Sequence, residues 1–273
     1  MFSIYSSAFN LVKNHFDYKN ALDNFCAFAD EVVIAVNTSA DNTLIVLNEL
    51  CLVYSNLVII ATDFSYEDPL LDGKIKNAAL QATTQRVKIG LDMDERIPLR
   101  HKDRWKFYGN SFGFRMDIDC IMIPSINLYG SFYTIKRALK DNLGTKWYMH
   151  KSGLYRGPVN YARLSDGTVD TASSDTCELI YENGALVKSD TLLRYADICS
   201  LKNYLDWIEK TGIFVYHLGY ANFNERVLRN ENFWHKHWRV ESGGKAPKHH
   251  VHMSVDEFES DLIEHNLPLW EDK

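Results

Sequence analysis

The stretch RVKIGLDMDERIPLR, Arg86–Arg100, joins an apolar run to a cluster of acidic residues. The apolar run ends at Leu91, and three of the four residues from Asp92 to Glu95 are carboxylates. On an extended segment, residues two positions apart point to the same side, as Asp92 and Asp94 would here. Carboxylate oxygens on one side of a chain can share a divalent cation. The stretch therefore predicts a strand that ends in a cation-binding segment.

The sequence before this stretch alternates between strand and helix patterns. The predicted strands are Phe2–Ser6, Glu31–Val36, Asn56–Thr62 and Arg86–Leu91, and the predicted helices are Tyr18–Ala29, Asp41–Tyr54 and Gly73–Thr83. Four strands alternating with three helices predict an α/β fold with a mainly parallel sheet. Because ligands bind beyond the carboxyl ends of such strands, Asp92 and Asp94 stand where this fold places its ligand site.

The second half of the sequence has a different pattern. We expect loosely antiparallel structure over Phe107–Gly130, a short helix over Thr134–Lys140, a helix over Thr191–Gly212 and a strand over Ile213–Tyr220. The remaining residues predict two helices around a loop rich in Gly, Pro and His. The expected organisation is one catalytic domain, 1–220, with a helical C-terminal extension, 221–273, packed on it.

The composition limits the classes of partner. The chain has 273 residues and a net charge of -6, which argues against nonspecific binding to nucleic acid or to an anionic membrane, though not against a local basic patch. No apolar run approaches the ~18 residues of a spanning helix, and the N-terminus lacks the features of a signal peptide. The five cysteines show no CxxC spacing, so we expect reduced thiols and a cytoplasmic protein.

Three segments of the first 130 residues carry a resemblance to a known family. They are EVVIAVNTSADNT (31–43), DGKIKNAALQAT (72–83) and GLDMDER (90–96). Their order and spacing resemble the GT-A nucleotide-sugar glycosyltransferases, family 2-like. The resemblance implies a GT-A-like (Rossmann-like) mixed sheet flanked by helices. It also implies a metal-dependent, hexosyltransferase-type glycosyltransferase that uses a nucleotide-diphosphate sugar, a UDP- or GDP-sugar, and a hydroxyl acceptor on a glycan, a lipid-linked sugar or a protein.

The same resemblance suggests a metal site. Asp92 and Asp94 correspond to the D-x-D motif, and His217, in VYHLGY, corresponds to a late histidine that often completes the metal shell in this family. The implied ion is Mn²⁺ or Mg²⁺, which carboxylates and imidazole can bind together. The alternative for His217 is a core histidine bonded to backbone. Glu95 is expected to support the loop or a metal-bound water.

Donor and acceptor residues are assigned by position. For the nucleotide sugar we expect contacts from Tyr5, Ser6, Asn37, Asp41, Lys74 and Asp92. Asn37 departs from the family, where an acidic residue is common at this position. An inverting transfer also needs a base near the acceptor hydroxyl, and Asp175 is favoured over Asp166, Asp170 and Glu178. A turn or helix-capping role is the alternative for Asp175. Arg156 could anchor phosphate or acceptor, or form a surface ion pair.

Two other functions fit the pattern less well. A nucleotidyltransferase that makes nucleotide sugars would usually carry a basic, Gly-rich loop after the first strand, and YSSAFN (5–10) has neither feature. A non-catalytic sugar-binding α/β domain would leave D-x-D without a role. A separate zinc site is not favoured, because the late histidines His235, His237, His249, His250 and His252 match no common zinc spacing.

Overall fold

The computed structural model of the protein describes residues 2–38, 41–65, 71–114, 120–137, 143–151, 162–163, 169–170, 181–182, 185–186, 200–229 and 261–271. The strands are β1 Phe2–Ala8, β2 Glu31–Asn37, β3 Leu57–Thr62, β4 Val87–Gly90, β5 Glu95–Arg96, β6 Cys120–Tyr129, β7 Thr134–Lys136, β8 Leu143–Lys151, β9 Ala162–Arg163, β10 Val169–Asp170, β11 Tyr181–Glu182, β12 Ala185–Leu186, β13 Val215–Tyr220 and β14 Leu262–Glu264. The helices are α1 Tyr18–Phe28, α2 Thr43–Leu50, α3 Leu71–Ala82, α4 Lys102–Phe114, α5 Leu201–Thr211 and α6 Phe223–Arg229, with a 3-10 turn at Leu99–His101 before α4.

The central sheet has eight strands in the order β3-β2-β1-β4-β8-β6-β13-β5. The first four strands are parallel to one another, as predicted from the alternation of strands and helices. Beyond them, β8 is antiparallel to β4 and β6, β13 is parallel to β6, and β5 is antiparallel to β13. The predicted α/β class with a mixed, mainly parallel sheet is confirmed.

Alternate residues of β1 and β2 pack on opposite faces of the sheet. On one face, Phe2 joins a core with Phe28 of α1 and Trp105 of α4, and the rings of Phe28 and Trp105 meet edge to face at 5.5 Å. On the other face, Tyr5 packs with Ile75 of α3. Because strand side chains alternate between faces, apolar layers cover both faces of β1 and β2.

The structure corrects two elements of the sequence prediction. Residues 102–114 form helix α4, so the antiparallel pattern expected from Phe107 begins only at β6. The helix fits closely on the sheet at Gly109, where a Cβ atom would overlap the ring of Phe2. Residues 134–136 form strand β7 instead of the start of a helix, because they pair with β14 near the end of the chain. The rest of that predicted helix, 138–140, lies outside the described residues.

The described part of the C-terminal extension contains one short helix, α6, and one strand, β14. The residues after β14 are attached to the 3-10 turn: Leu99 N donates to Trp270 O at 3.1 Å, and Arg100 Nη1 donates to Leu269 O at 2.7 Å. Residues 261–271 thus consist of one strand, turns and irregular chain, whereas helices were expected in this region. None of the described helices combines the length and the apolar character needed to cross a bilayer.

Candidate functional site

The acidic residues after β4 form a tight turn. Glu95 N donates to Asp92 O at 3.0 Å, and Asp92 N donates to the Glu95 carboxylate at 2.8 Å. Glu95 is buried, so its side chain supports the backbone of the turn, as expected from its position beside D-x-D. Residues 92–95 thus form a turn and not the extended segment that was expected, and the sharing of one cation by Asp92 and Asp94 stays a prediction.

The buried side chain of Arg96 is hydrogen-bonded to the backbone of this turn. Arg96 Nη1 donates to Met93 O at 2.9 Å and to Glu95 O at 2.8 Å, and Nη2 donates to Asp17 O at 3.0 Å. Burial lowers the pKa of Arg96, while the nearby carboxylates of Asp17 and Asp94 oppose that shift. Sequence reasoning did not single out Arg96, although a charged residue directly after a buried acidic turn is a signal that it binds the turn's carbonyls.

Asp94 and His217 come together across the junction of β5 and β13. His217 pairs with Glu95 in the antiparallel register, and Leu218 N donates to Asp94 O at 2.7 Å. These backbone contacts place Asp94 Oδ2 3.8 Å from His217 Nε2. That separation is too long for a direct hydrogen bond and leaves room for an ion to bind both atoms.

The orientation of the His217 ring is set by Asn127 of β6. His217 Nδ1 lies 2.8 Å from Asn127 Oδ1, and because an amide oxygen only accepts, Nδ1 carries the proton. In the neutral ring, Nε2 then presents its lone pair toward Asp94. This contact ties the ring to a side chain of the neighbouring strand. A histidine held through its second nitrogen is typical of metal ligands.

The backbone of Gly219 lies close against these two side chains. A Cβ atom at this position would lie 2.7 Å from His217 Nε2 and 3.1 Å from Asp94 Oδ2. A side chain at this position would therefore clash with both potential ligand atoms, and glycine avoids that clash. One carboxylate oxygen and one imidazole nitrogen form a donor set that suits Mn²⁺-like ions. The residues present fit a divalent cation at Asp94 and His217.

Asp92 has a different partner, the buried Lys76 of α3. Lys76 Nζ lies 2.7 Å from Asp92 Oδ1. Among the residues that the structure describes, no group of three or more His, Cys, Asp or Glu side chains could hold a metal ion. The structure thus brings together two of the three predicted ligands, and the role of Asp92 as a metal ligand stays a prediction.

Two lysines of α3 differ in their surroundings, and the expected role of Lys74 stays a prediction. Lys74, expected near the diphosphate, is exposed on α3, whereas Lys76 is buried and reaches the D-x-D turn. The signal was present in the sequence, because Lys76 lies among the apolar Ile75, Ala79 and Leu80 on the inward side of the helix. A lysine on an apolar face requires a carboxylate partner, and Asp92 is that partner.

The other predicted donor residues are held by structural contacts. Tyr5 and Ser6 are fully buried in β1. Asn37 ties β2 to the segment after β3, because its Oδ1 accepts from Phe64 N at 2.8 Å and its Nδ2 donates to Phe64 O at 3.0 Å. Asp41 accepts from Lys13 N at 2.8 Å and, through its other oxygen, from Thr43 N at 2.9 Å, at the start of α2. These bonds link the segments that follow β1, β2 and β3 to one another.

A cavity of about 750 Å³ adjoins the Asp94 side of the turn. Its walls come from four segments, 12–18, 93–96, 131–133 and 218–225. Asp94 lies on one wall and Glu225, in the first turn of α6, lies on another. Asp175 and Arg156 lie outside the described residues, as do the five late histidines and the acidic alternatives Asp166 and Glu178.

No protein-family model matches this chain, and no curated protein matches it either. Among solved structures, it is similar to S. aureus TarS 1–349 at 16% identity over 55% of this chain and 46% of that chain, with a TM-score of 0.36. That protein has also been solved with UDP-GlcNAc. It is also similar to the Pyrobaculum calidifontis mannosyltransferase PcManGT, in complex with GDP-Man and Mn²⁺, at 12% identity over 90% of this chain and 65% of that chain, with a TM-score of 0.43.

A third similar structure is glucosyl-3-phosphoglycerate synthase from Mycobacterium tuberculosis with Mn²⁺ and UDP, at 16% identity over 48% of this chain and 45% of that chain, with a TM-score of 0.31. The chain spans less than half of the TarS 1–349 and synthase structures that it matches. At these identities and TM-scores, the likeness concerns the arrangement of strands and helices and not the chemistry of the site.

Proposed function

We propose that this protein is a metal-dependent glycosyltransferase that moves a sugar, with inversion, from a nucleotide-diphosphate sugar to a hydroxyl acceptor. The observation that carries the proposal is the Asp94–His217 pair at the carboxyl edge of the sheet, 3.8 Å apart beside the backbone of Gly219. This pair lies where α/β sheets bind their ligands. The D-x-D resemblance supplies the chemical class, and a cytoplasmic location follows from the cysteine pattern.

Asp94 and His217 would hold Mn²⁺ or Mg²⁺, and the ion would supply positive charge for a diphosphate leaving group. The protein's own part is to keep the ligand atoms in place before the ion arrives. Asn127 fixes the proton of His217 on Nδ1, and the hydrogen bond from Leu218 N holds the backbone of Asp94. Because both constraints exist without the ion, little reorganisation is needed on binding.

Asp92 and Lys76 form the donor side of the proposed site. Their 2.7 Å ion pair compensates the charge of the buried lysine and fixes the Asp92 carboxylate. A fixed carboxylate at this position can accept hydrogen bonds from donor hydroxyl groups. Lys76 thus joins Lys74 as a candidate cation on the donor side of the site.

The acceptor would enter the cavity beside Asp94. An inverting transfer needs a base within hydrogen-bond reach of the acceptor hydroxyl. Asp175 remains the residue that the resemblance favours. Glu225 is a second candidate, because its side chain lines the same cavity as Asp94. Glu225→Gln and Asp175→Asn, compared in a transfer assay, would separate the two: the variant of the base should lose turnover while donor binding is kept.

The test is thermal unfolding against a panel of UDP-, GDP-, CMP- and dTDP-sugars, with and without Mn²⁺. Wild type is compared with Asp94→Ala and with Asp103→Ala, a control that removes an exposed carboxylate on α4. A ligand at about 100 times its dissociation constant adds roughly 2.7 kcal/mol to the free energy of unfolding. We expect a manganese-dependent shift with one nucleotide, lost only in Asp94→Ala. No shift with any nucleotide would refute the donor site.

A further inference from the structure

The exposed side of α4 carries large aromatic side chains. Phe107, Tyr108 and Phe114 are 67%, 50% and 76% exposed, respectively. The opposite side of the same helix is packed in the core through Trp105 and Phe112. Phe107 and Phe114 are seven residues apart and thus lie on the same line along the helix. These aromatic side chains therefore form the outward face of α4, while its inward face is packed in the core.

Basic side chains lie on the same helix as these rings, and two of them also contact neighbouring elements: Lys102 Nζ donates to Ala27 O, and Arg104 Nη1 donates to Lys210 O. Lys102, Arg104 and Lys106 lie on α4 with a single carboxylate, Asp103. Arg86, just before β4, places its guanidinium carbon 5.0 Å from the centre of the Phe114 ring. Burial and the neighbouring Lys106 lower the pKa of Lys102, whereas the carboxylate of Asp30 opposes this shift. Cations are therefore in excess here, although the whole chain carries a net charge of -6.

A second group of exposed apolar side chains lies on and after α2, in a segment without basic residues. Ile45, Leu52 and Val53 protrude from α2 and the turn after it, and Leu52 is 90% exposed. The segment 41–54 contains no lysine or arginine. The combination of aromatic rings with cations is thus a property of the α4 face, and the group around Leu52 serves as an internal comparison.

We infer that the outward face of α4 binds the surface of an anionic membrane. Aromatic rings at the centre and basic groups at the sides are the pattern of helices that lie in the headgroup region of a bilayer. A second copy of the chain does not fit, because two such faces would bring like charges together. A single-stranded nucleic acid is less suited, because it is usually held in a concave basic groove and this face is a convex helix.

The outward face of α4 and the candidate site lie toward opposite ends of the strands. Gly109 and Gly113 of α4 pack on Phe2 and Val87, the first residues of β1 and β4. Asp94 lies beyond the other end of β4. A protein bound through α4 therefore keeps its site accessible, and vesicle binding is expected whether or not the proposed transferase activity is correct.

The test is flotation of the full chain with vesicles of phosphatidylcholine alone or of phosphatidylcholine mixed equally with phosphatidylglycerol. Wild type should float with the mixed vesicles only and should be released by high salt. Phe107→Ser/Phe114→Ser should lower the bound fraction about tenfold or more, since it removes the inserted rings. Lys106→Ala should weaken binding about fivefold. Leu52→Ser is the matched control and should bind like wild type.

Three results would overturn the inference. The first is no flotation of wild type with the mixed vesicles. The second is an equal loss of binding in Leu52→Ser, which would show that general hydrophobicity is responsible. The third is binding of a labelled single-stranded oligonucleotide that requires Phe107 and Phe114 while vesicles are ignored; the partner would then be nucleic acid. All the substituted side chains are exposed or half-buried, and circular dichroism of each variant checks that the fold is intact.

Discussion

Gly219→Ala probes the candidate cation site without removing either ligand. The new methyl carbon would lie 2.7 Å from His217 Nε2, 2.9 Å from Cε1 and 3.1 Å from Asp94 Oδ2. Carbon and nitrogen atoms normally stay about 3.5 Å apart or more, so the ring has to move by several tenths of an ångström. Asn127 holds the other side of the ring at 2.8 Å, so the movement also strains that hydrogen bond.

The expected size of the effect can be worked out in two parts. Overpacking one methyl group should lower the free energy of unfolding by about 1 to 3 kcal/mol without any metal. In addition, Mn²⁺ at about 100 times the wild-type dissociation constant stabilises wild type by roughly 2.7 kcal/mol. A tenfold weaker site would keep about 1.4 kcal/mol of that gain, and a hundredfold weaker site about 0.4 kcal/mol. We expect the smallest of these values, because the methyl group would crowd both ligand atoms and force the His217 ring to move.

The assay is urea unfolding of wild type and Gly219→Ala, each with and without Mn²⁺. The decisive quantity is the gain caused by Mn²⁺ in each protein, because it separates loss of metal binding from simple overpacking. Gly113→Ala is the matched control: its Cβ would lie 3.3 Å from Val87, far from the site, and its Mn²⁺ gain should equal that of wild type. A full Mn²⁺ gain in Gly219→Ala would refute the assignment of the cation to Asp94 and His217.

Three further outcomes follow from named contacts. Lys76→Met should cost about 1 to 2 kcal/mol because it leaves Asp92 without its cation, and adding Asp92→Asn should recover most of the loss in a double-mutant cycle by urea unfolding. Asn127→Ala should weaken Mn²⁺ binding about 10- to 100-fold in calorimetry, because it frees the His217 ring; unchanged affinity would exclude an orienting role. Burial lowers the pKa of His265, so the unfolded chain binds its proton first as pH falls. Stability should therefore be complete above about pH 6.5 and decline below it, and His265→Gln should flatten that decline in unfolding curves between pH 7 and 5.

The parallel half of the sheet could be predicted because its patterns are local. The β-branched run Glu31–Val36 and the helical spacing in Tyr18–Ala29 each specify one element, and the structure places them within one residue of the predicted ends. The second half depends on pairing between distant segments, which a local pattern does not contain. Thr134–Lys136 is a strand only because Leu262–Glu264 lies beside it.

The same distinction applies to the site. Asp94 was predictable from its position after a buried strand, and His217 from its likeness to a late family histidine. Their meeting depends on the antiparallel pairing of β5 with β13, which joins segments more than a hundred residues apart. The local sequence around Asn127 did not indicate its contact with His217, because a single Asn in an apolar strand is compatible with many different partners.

The run of carboxylates after β4 is not one acidic cluster, and this has a consequence for how a cation would bind. Glu95 bonds the backbone of Asp92, Asp92 pairs with Lys76, and Asp94 faces His217. Because residues 92–95 form a turn, the rule that neighbours at i and i+2 share one side does not apply to them. Of the described residues, Asp94 and His217 would provide two ligand atoms for the proposed ion, whereas Mn²⁺ and Mg²⁺ prefer about six. The remaining positions are open to water or to diphosphate oxygens, so we expect metal and nucleotide each to bind weakly alone and to strengthen one another by the same factor.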